Sequence, residues 1–280
     1  MDTQTQTDPP VNPNKALWEK GDFTRIAESS MRKSGEALVA TLGITPGLDV
    51  LDLGCGDGTT AVPEAQLGAN VLGVDIAENL VAAGNARAQR FGLDNLRFQQ
   101  GDATDLKDLA DDSFDLVVSI FGAMFAPRPF DVAEEVVRVA RPGGRIVMGN
   151  WIPNDPTFVA QLLRVSTAYS PPPPEGFVSP MTWGIEENVL ERFGAAGIPA
   201  ENVTCERVMF LFEYEGTPAE YLADFRDYYG PTMNAYAAAA ADGREAELHA
   251  ELSALVDEHN IADGAGTAIE AAYLRVTVAV

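Results

Sequence analysis

Asp49-Val50-Leu51-Asp52-Leu53-Gly54-Cys55-Gly56-Asp57-Gly58-Thr59-Thr60 is the stretch of this 280-residue chain that decides its fold. An apolar strand runs straight into three alternating glycines, and a helical segment follows. Glycine is needed where backbone turns sharply or approaches a ligand without a Cβ in the way. The first strand-to-helix turn of a doubly wound sheet is the usual ligand crevice of such a fold.

Outward from that turn the chain alternates. Short apolar runs lie at Val50–Leu53, Val71–Val74, Leu96–Gln99, Phe114–Ile120 and Arg145–Gly149. They are near-continuous rather than alternating, as strands buried on both faces should be. Between them, Leu80, Gly84, Ala88 and Phe91 fall at helical steps, as do Val132, Val136 and Val139. Arg141-Pro142-Gly143-Gly144 is expected to stop the second of these helices and turn the chain into the next strand. This rhythm predicts an α/β architecture built on a parallel sheet with helices on both faces. Upstream, Ala16 to Leu42 reads as helical, and residues 1–14 read as a flexible tail. Downstream, Val203–Phe212 and Tyr273–Val280 read as strands. Residues 217–262 read as helical, with Leu248, Leu252 and Leu255 as one apolar stripe.

Composition narrows the function. Hydrophobic residues make up 46% and charged residues 22%, so the chain has the makings of a folded core. Nineteen basic residues against 42 acidic ones give a net charge of −23, which repels polyphosphate and argues against nucleic acid or an anionic membrane as partner. Two cysteines (Cys55, Cys205) and two histidines (His249, His259) are too few for a disulfide framework or a conventional metal site, and no metal is expected. Residues Met1 to Asn14 lack the basic and apolar regions of a signal peptide, and no apolar run approaches the ~20 residues of a membrane span. The expected location is cytoplasmic.

The glycine loop admits two ligands. A dinucleotide fingerprint, G-x-G-x-x-G, would need glycine where Thr59 stands. Asp52, two residues before the first glycine, would also face a pyrophosphate, which is electrostatically wrong, whereas it suits a ligand with an ammonium group. Asp52-Leu53-Gly54-Cys55-Gly56-Asp57-Gly58 resembles the first motif of the class I S-adenosylmethionine (SAM)-dependent methyltransferases. Val71-Leu72-Gly73-Val74-Asp75 resembles their second strand, ending in an acid 17 residues after Gly58. Phe98 to Ala103 resembles the third motif, Phe114 to Ser119 the fourth strand, and Val137 to Gly144 the turn before the fifth. The likeness is close over about residues 16–150, and the nearest group is similar to the ubiquinone/menaquinone C-methylases.

The resemblance implies a Rossmann-like, doubly wound, seven-stranded and mostly parallel sheet with helical cap insertions. The methyltransferase domain would span 15–280, with a core at 44–150 plus strands near 203–212 and 273–280, and a cap at 151–202 and 213–270. It implies SAM as cofactor and S-adenosylhomocysteine as product. Asp52, Gly54, Cys55 and Gly56 would form the cradle. Asp75 would accept from the ribose hydroxyls and Ile76 would pack on the adenine. Asp102 would accept from the adenine amino group and Ala103 would donate its N–H. Ser119 and Phe121 would flank the methionine end. Aromatics facing the positive sulfur or an apolar acceptor would come from Phe23, Phe121, Phe125, Trp151, Tyr169 and Trp183. No residue stands out as a catalytic base. The Asn/Asp-Pro-Pro-aromatic motif of nucleic-acid amino-methylases is missing after the fourth strand, as is the Pro-Cys nucleophile of cytosine C5-methylases. The expected activity is methyl transfer to a small organic acceptor by a monomer or homodimer. A nicotinamide oxidoreductase and a SAM-binding module without transferase activity are the alternatives.

Overall fold

Each apolar run becomes a strand. They are β1 (Asp49–Leu53), β2 (Asn70–Asp75), β3 (Leu96–Gln100), β4 (Phe114–Ile120), β5 (Ala140–Trp151), β6 (Val203–Tyr214) and β7 (Thr267–Ala279). The computed structural model describes Asn12 and residues 14–280. Apart from Asn12 and Asn14, the tail expected over 1–14 lies outside the described residues.

The seven strands form one sheet in the order β3-β2-β1-β4-β5-β7-β6. Pairing is parallel from β3 through β5. Only β7 runs antiparallel, between β5 and β6. The centre is dry on both faces: Val50, Leu51, Leu116, Val117, Val118, Ile146 and Met148 are all buried. Each such side chain removed from water contributes roughly 1.5–3 kcal/mol before the entropy of ordering is counted. β7 begins six residues before the expected Tyr273 because its whole length pairs with β6, from Thr267 opposite Tyr214 to Val278 opposite Val203. Arg141–Gly144 forms no free turn. It bulges within β5, and the register against β4 slips from Phe114–Ala140 to Leu116–Arg145.

The helices on the sheet are α4 (Ala61–Gln66), α5 (Glu78–Phe91), α6 (Pro129–Val139) and α8 (Glu186–Ala195). On α5 the stripe Leu80, Gly84 and Ala88 is buried, but Phe91 stands out in solvent. Gly84 is small for a reason. With Gly58 and Gly73 it makes a hollow for the Phe98 ring, which lies 2.6–2.7 Å from where a Cβ on any of the three would sit.

The helix expected over 16–42 is three helices, α1 (Asn14–Lys20), α2 (Phe23–Ser30) and α3 (Arg32–Ala40). The first break is at Gly21-Asp22. A side chain at 21 would collide with the Tyr228 carbonyl, and Asp22 caps α2 by accepting from the Thr24 N–H at 3.2 Å.

The long insertions divide differently from expectation. α7 (Phe158–Ala168) joins α9 (Pro218–Tyr228), α10 (Gly230–Ala241) and α11 (Glu245–His259) in one helical layer. The α11 stripe runs Leu248, Leu252, Val256, while Leu255 is only half-buried. α8 and the short turn Pro180–Gly184 pack instead on α6 and β5, so this half of the expected cap is an ordinary sheet-covering crossover. α9 and α10 hold α1 and α2 at very close range: a Cβ at Gly230 would lie 2.4 Å from the Leu17 carbonyl.

Candidate functional site

The glycine loop leaves β1 and is pinned to β2 by two amides. Gly54 N donates to the Val74 carbonyl at 2.7 Å and Cys55 N to the same oxygen at 3.2 Å. Gly54 must be glycine, because a Cβ there would lie 2.5 Å from the Gly122 Cα in the loop after β4. At Gly56 φ is +56°, and a Cβ would project into open space, with Phe23 the nearest neighbour at 3.9 Å. Its N–H donates to Asp75 Oδ2 at 2.8 Å, while Ala77 N donates to Asp75 Oδ1 at 2.9 Å. The Asp75 carboxylate is therefore locked in orientation. Burial raises its pKa, and the amides from Ala77, Gly56 and Ile76 oppose that rise.

Asp57 points away from the loop's open side. It is buried against Arg32 of α3, whose guanidinium also donates to Thr59 Oγ1 at 2.9 Å. Arg87 of α5 donates to the Asp57 carbonyl at 2.7 Å. These two arginines clamp the loop from both sides.

A cleft holding about 960 Å³, counting its mouth, opens above the loop at the carboxyl ends of β1, β2 and β4. Gly54, Cys55, Gly56, Asp75, Ile76, Asp102, Ala103, Phe121, Phe23 and Phe125, ten of the residues singled out in the sequence, line it. Asp102 Oδ1 accepts from Thr104 N and Oγ1, both at 2.9 Å, and Oδ2 accepts from Asn12 Nδ2 at 3.0 Å. Phe121 takes a left-handed backbone, φ +57°, with its ring stacked on Trp151 at 3.7 Å. Burial holds the Cys55 thiol well above its ordinary pKa, so it stays neutral in the wall.

Five of the expected residues lie elsewhere. Asp52 sits one layer behind the wall. It is buried, its Oδ2 accepts from Thr60 Oγ1 at 2.5 Å, and its Oδ1 has no partner among the described residues. Burial, against the opposing Thr60 hydroxyl and with the added field of Asp75, pushes its carboxyl up to about 7. Glu64 of α4 faces Asp52 with neither oxygen partnered, and burial plus the Asp52 charge raise it too. Ser119 is a strut rather than a lining group, donating to the Leu53 carbonyl at 2.7 Å and accepting from Ala123 N at 2.9 Å. Trp151 lies beneath Phe121 and does not reach the cleft. Tyr169 caps α7 and donates to Glu251 at 2.8 Å, and Trp183 packs against Phe193 under the Arg192 guanidinium. Neither lines the cleft: Tyr169 lies in the packing of α7 on α11, and Trp183 in that of the Pro180–Gly184 turn on α8.

The structure adds lining residues that the sequence did not single out. Asn12 and Asn14 come from the chain start, Thr60 from the end of the loop, Met31 from the α2–α3 junction, and Phe210 from β6. Thr60 was within the motif, eight residues after its partner Asp52. Phe210 carried no local signal, since its position depends on the sheet order. Trp18 and Phe23 form one wall, with the Trp18 and Phe125 rings 5.0 Å apart edge to face. The expected cap segments contribute nothing to the lining among the described residues; α9 and α10 support that wall from behind.

Comparison with known proteins agrees with this geometry. Residues 51–148 match the family model described as a methyltransferase domain. An uncharacterized protein of Mycobacterium tuberculosis (strain ATCC 25618 / H37Rv) is 35% identical over 257 residues, 91% of this chain and 90% of that one. A demethylmenaquinone methyltransferase of Renibacterium salmoninarum is 34% identical over 133 residues, 48% of this chain and 53% of its own. The crystal structure of the YcgJ protein from Bacillus subtilis shares the fold, with a TM-score of 0.55 at 21% identity over 88% of this chain and 97% of that chain. The chain belongs to the class I SAM-dependent methyltransferases. Along nearly the whole of both chains it groups with the uncharacterized mycobacterial protein. This assignment decides against the nicotinamide reading, as the Thr59 position already suggested. No helix among the described residues is long and apolar enough to cross a membrane.

Proposed function

We propose that this cleft binds SAM and presents its methyl group to a small organic acceptor. The observation that carries the reading is the pairing of an open-sided Gly56 with an oriented Asp75. A Cβ at 56 would enter the cleft, and the carboxylate beside it is fixed by two backbone amides yet keeps lone pairs toward the space. That is the shape and polarity a ribose needs. The cofactor, when bound, supplies a methyl group already activated on a sulfonium.

The chain's own residues bind, orient and exclude water. Asp75 accepts from the sugar hydroxyls. Ile76 and Leu80 pack on the base, while Asp102 and the Ala103 N–H take its polar edge. Thr60, whose hydroxyl donates to Asp52 behind it, faces the amino-acid end. Phe121 supports the sulfur side, held by Trp151 below it. Placement of the reacting atoms about 3–3.5 Å apart in a dry site is the main contribution such a protein makes. Its location in the cytoplasm and its action as a monomer or homodimer complete the proposal. Calorimetric titration with SAM, S-adenosylhomocysteine, NAD and NADP tests it: heat with the first two alone supports the reading. Heat with neither removes it. Release of S-adenosylhomocysteine against a metabolite panel separates an enzyme from a binding module.

A further inference from the structure

We propose that Glu64 and Asp52 form a buried pair behind the glycine loop that senses the charge of the cofactor. The pair gives up a proton when SAM binds and holds it more firmly when S-adenosylhomocysteine is bound instead. This rests on the methyl-transfer reading above. It makes Glu64, which lies outside the cleft, a positioning residue acting through Asp52 and Thr60.

The geometry carries the proposal. Thr60 lines the cleft, and its hydroxyl donates to Asp52 Oδ2 at 2.5 Å. Glu64 stands one helical turn further on, its N–H donating to the Thr60 carbonyl at 3.1 Å. Glu64 is 0% exposed and Asp52 1%. Asp52 Oδ1 and both oxygens of Glu64 have no partner among the described residues. Two carboxylates cannot both stay ionised in so dry a place unless a cation is beside them.

The surroundings supply no such cation. Among the elements packed on the pair, β2 brings Asp75, and the loop brings Cys55 and Asp57. Arg32 of α3 and Arg87 of α5 turn to Asp57, and Lys33 of α3 turns to Glu213. Glu36 of α3 and Arg97 of β3 are exposed. The local field is therefore negative, and the pair keeps a proton that exposed carboxyls would lose. Burial pushes Asp52 up to about 7, and Glu64 is raised in the same direction.

A positive ligand in the cleft reverses that balance, because it favours the ionised form of a carboxyl one hydroxyl away. SAM brings a sulfonium and an ammonium group, whereas S-adenosylhomocysteine brings the ammonium alone. The expelled proton passes to the buffer. The pair thus favours the cofactor over its product, and more so as pH rises.

The test is calorimetry on the full chain in PIPES and in imidazole, whose different ionisation enthalpies turn heats into a proton count. Near pH 6.5, SAM should release about half a proton or more, and S-adenosylhomocysteine clearly less. The preference for SAM should grow about two- to fivefold per unit from about pH 5.5 to 7.5, where the cofactor's amino group stays charged. Glu64→Gln should at least halve the release while both ligands still bind. A merely structural role would weaken both ligands alike at every pH. If that variant fails to fold, Asp52→Asn gives the same reading, and the counts on the unaltered chain stand without either. No proton exchange with SAM, equal release from both ligands, or unchanged release in a folded variant overturns the proposal. Absence of heat with both ligands brings down the methyl-transfer reading instead, so the two failures are told apart.

Discussion

The Gly56 amide donates to Asp75 Oδ2 at 2.8 Å, so the middle glycine of the first loop and the acid ending the second strand form one hydrogen-bonded unit. Neither can move without the other. Asp75→Ala removes a ligand group and also releases the loop. Cofactor affinity should fall by about 1–3 kcal/mol, the cost of losing hydrogen bonds to a charged acceptor. Calorimetry with S-adenosylhomocysteine measures it, and an unchanged dissociation constant would refute the role given to Asp75.

Gly56→Val should abolish cofactor binding while leaving a folded chain. The branched side chain enters open space, so packing is not disturbed. Its φ of +56° is costly for a β-branched residue, and stability should drop by at least about 1 kcal/mol. Circular dichroism confirms folding. Retained affinity in the folded variant would show that the ligand lies elsewhere.

Asp52 links stability to pH with a definite sign. Its folded-state pKa is near 7, above the ordinary 3.8. Between those values the folded chain holds a proton that the unfolded chain has released. Stability from this group is full below about pH 4 and is lost as pH rises toward 7. Glu64, raised in the same direction, adds to the loss. Asp52→Asn keeps an acceptor for Thr60 and carries no charge. It should raise the melting temperature at pH 8 by several degrees and change it little at pH 4. An equal effect at both pH values would contradict the burial argument.

Arg32→Met tests the clamp on the loop. It leaves Asp57 buried with only Arg87 nearby, 3.8 Å away. Breaking a buried pair costs about 3–5 kcal/mol, and the remaining arginine should keep the loss toward the low end. Denaturant unfolding reads the stability, while a parallel titration with S-adenosylhomocysteine should show weaker binding from a looser loop. A stable variant with full affinity would make the ion pair incidental.

What was legible in the sequence is what depends on neighbours along the chain. Gly54, Gly56, Asp75 and Asp102 stand at strand ends, where a short pattern sets both backbone shape and direction, and each reaches the cleft. Asp52 illustrates the limit. Its place on β1 was readable, but strand alternation turns it behind the wall to Thr60 and Glu64, and that face could be told only with α4 in position. Trp183 and Tyr169 were aromatic and near a proline-rich segment, which says nothing about the side of the sheet to which that segment runs. Phe210 reaches the cleft because β6 lies outside β7 and leans toward Phe121, a relationship between strands more than 80 residues apart in sequence.

The Phe98 ring has a wider consequence. One benzene ring occupies the volume of three missing side chains, at Gly58 in the loop, Gly73 in β2 and Gly84 in α5. These positions therefore share a single allotment of space. An alanine at 84 and a smaller residue at 98 form a linked exchange, tolerated together and penalised singly. A methyl group on the sheet-facing side of α5 can in this way unsettle the loop that packs on the same ring.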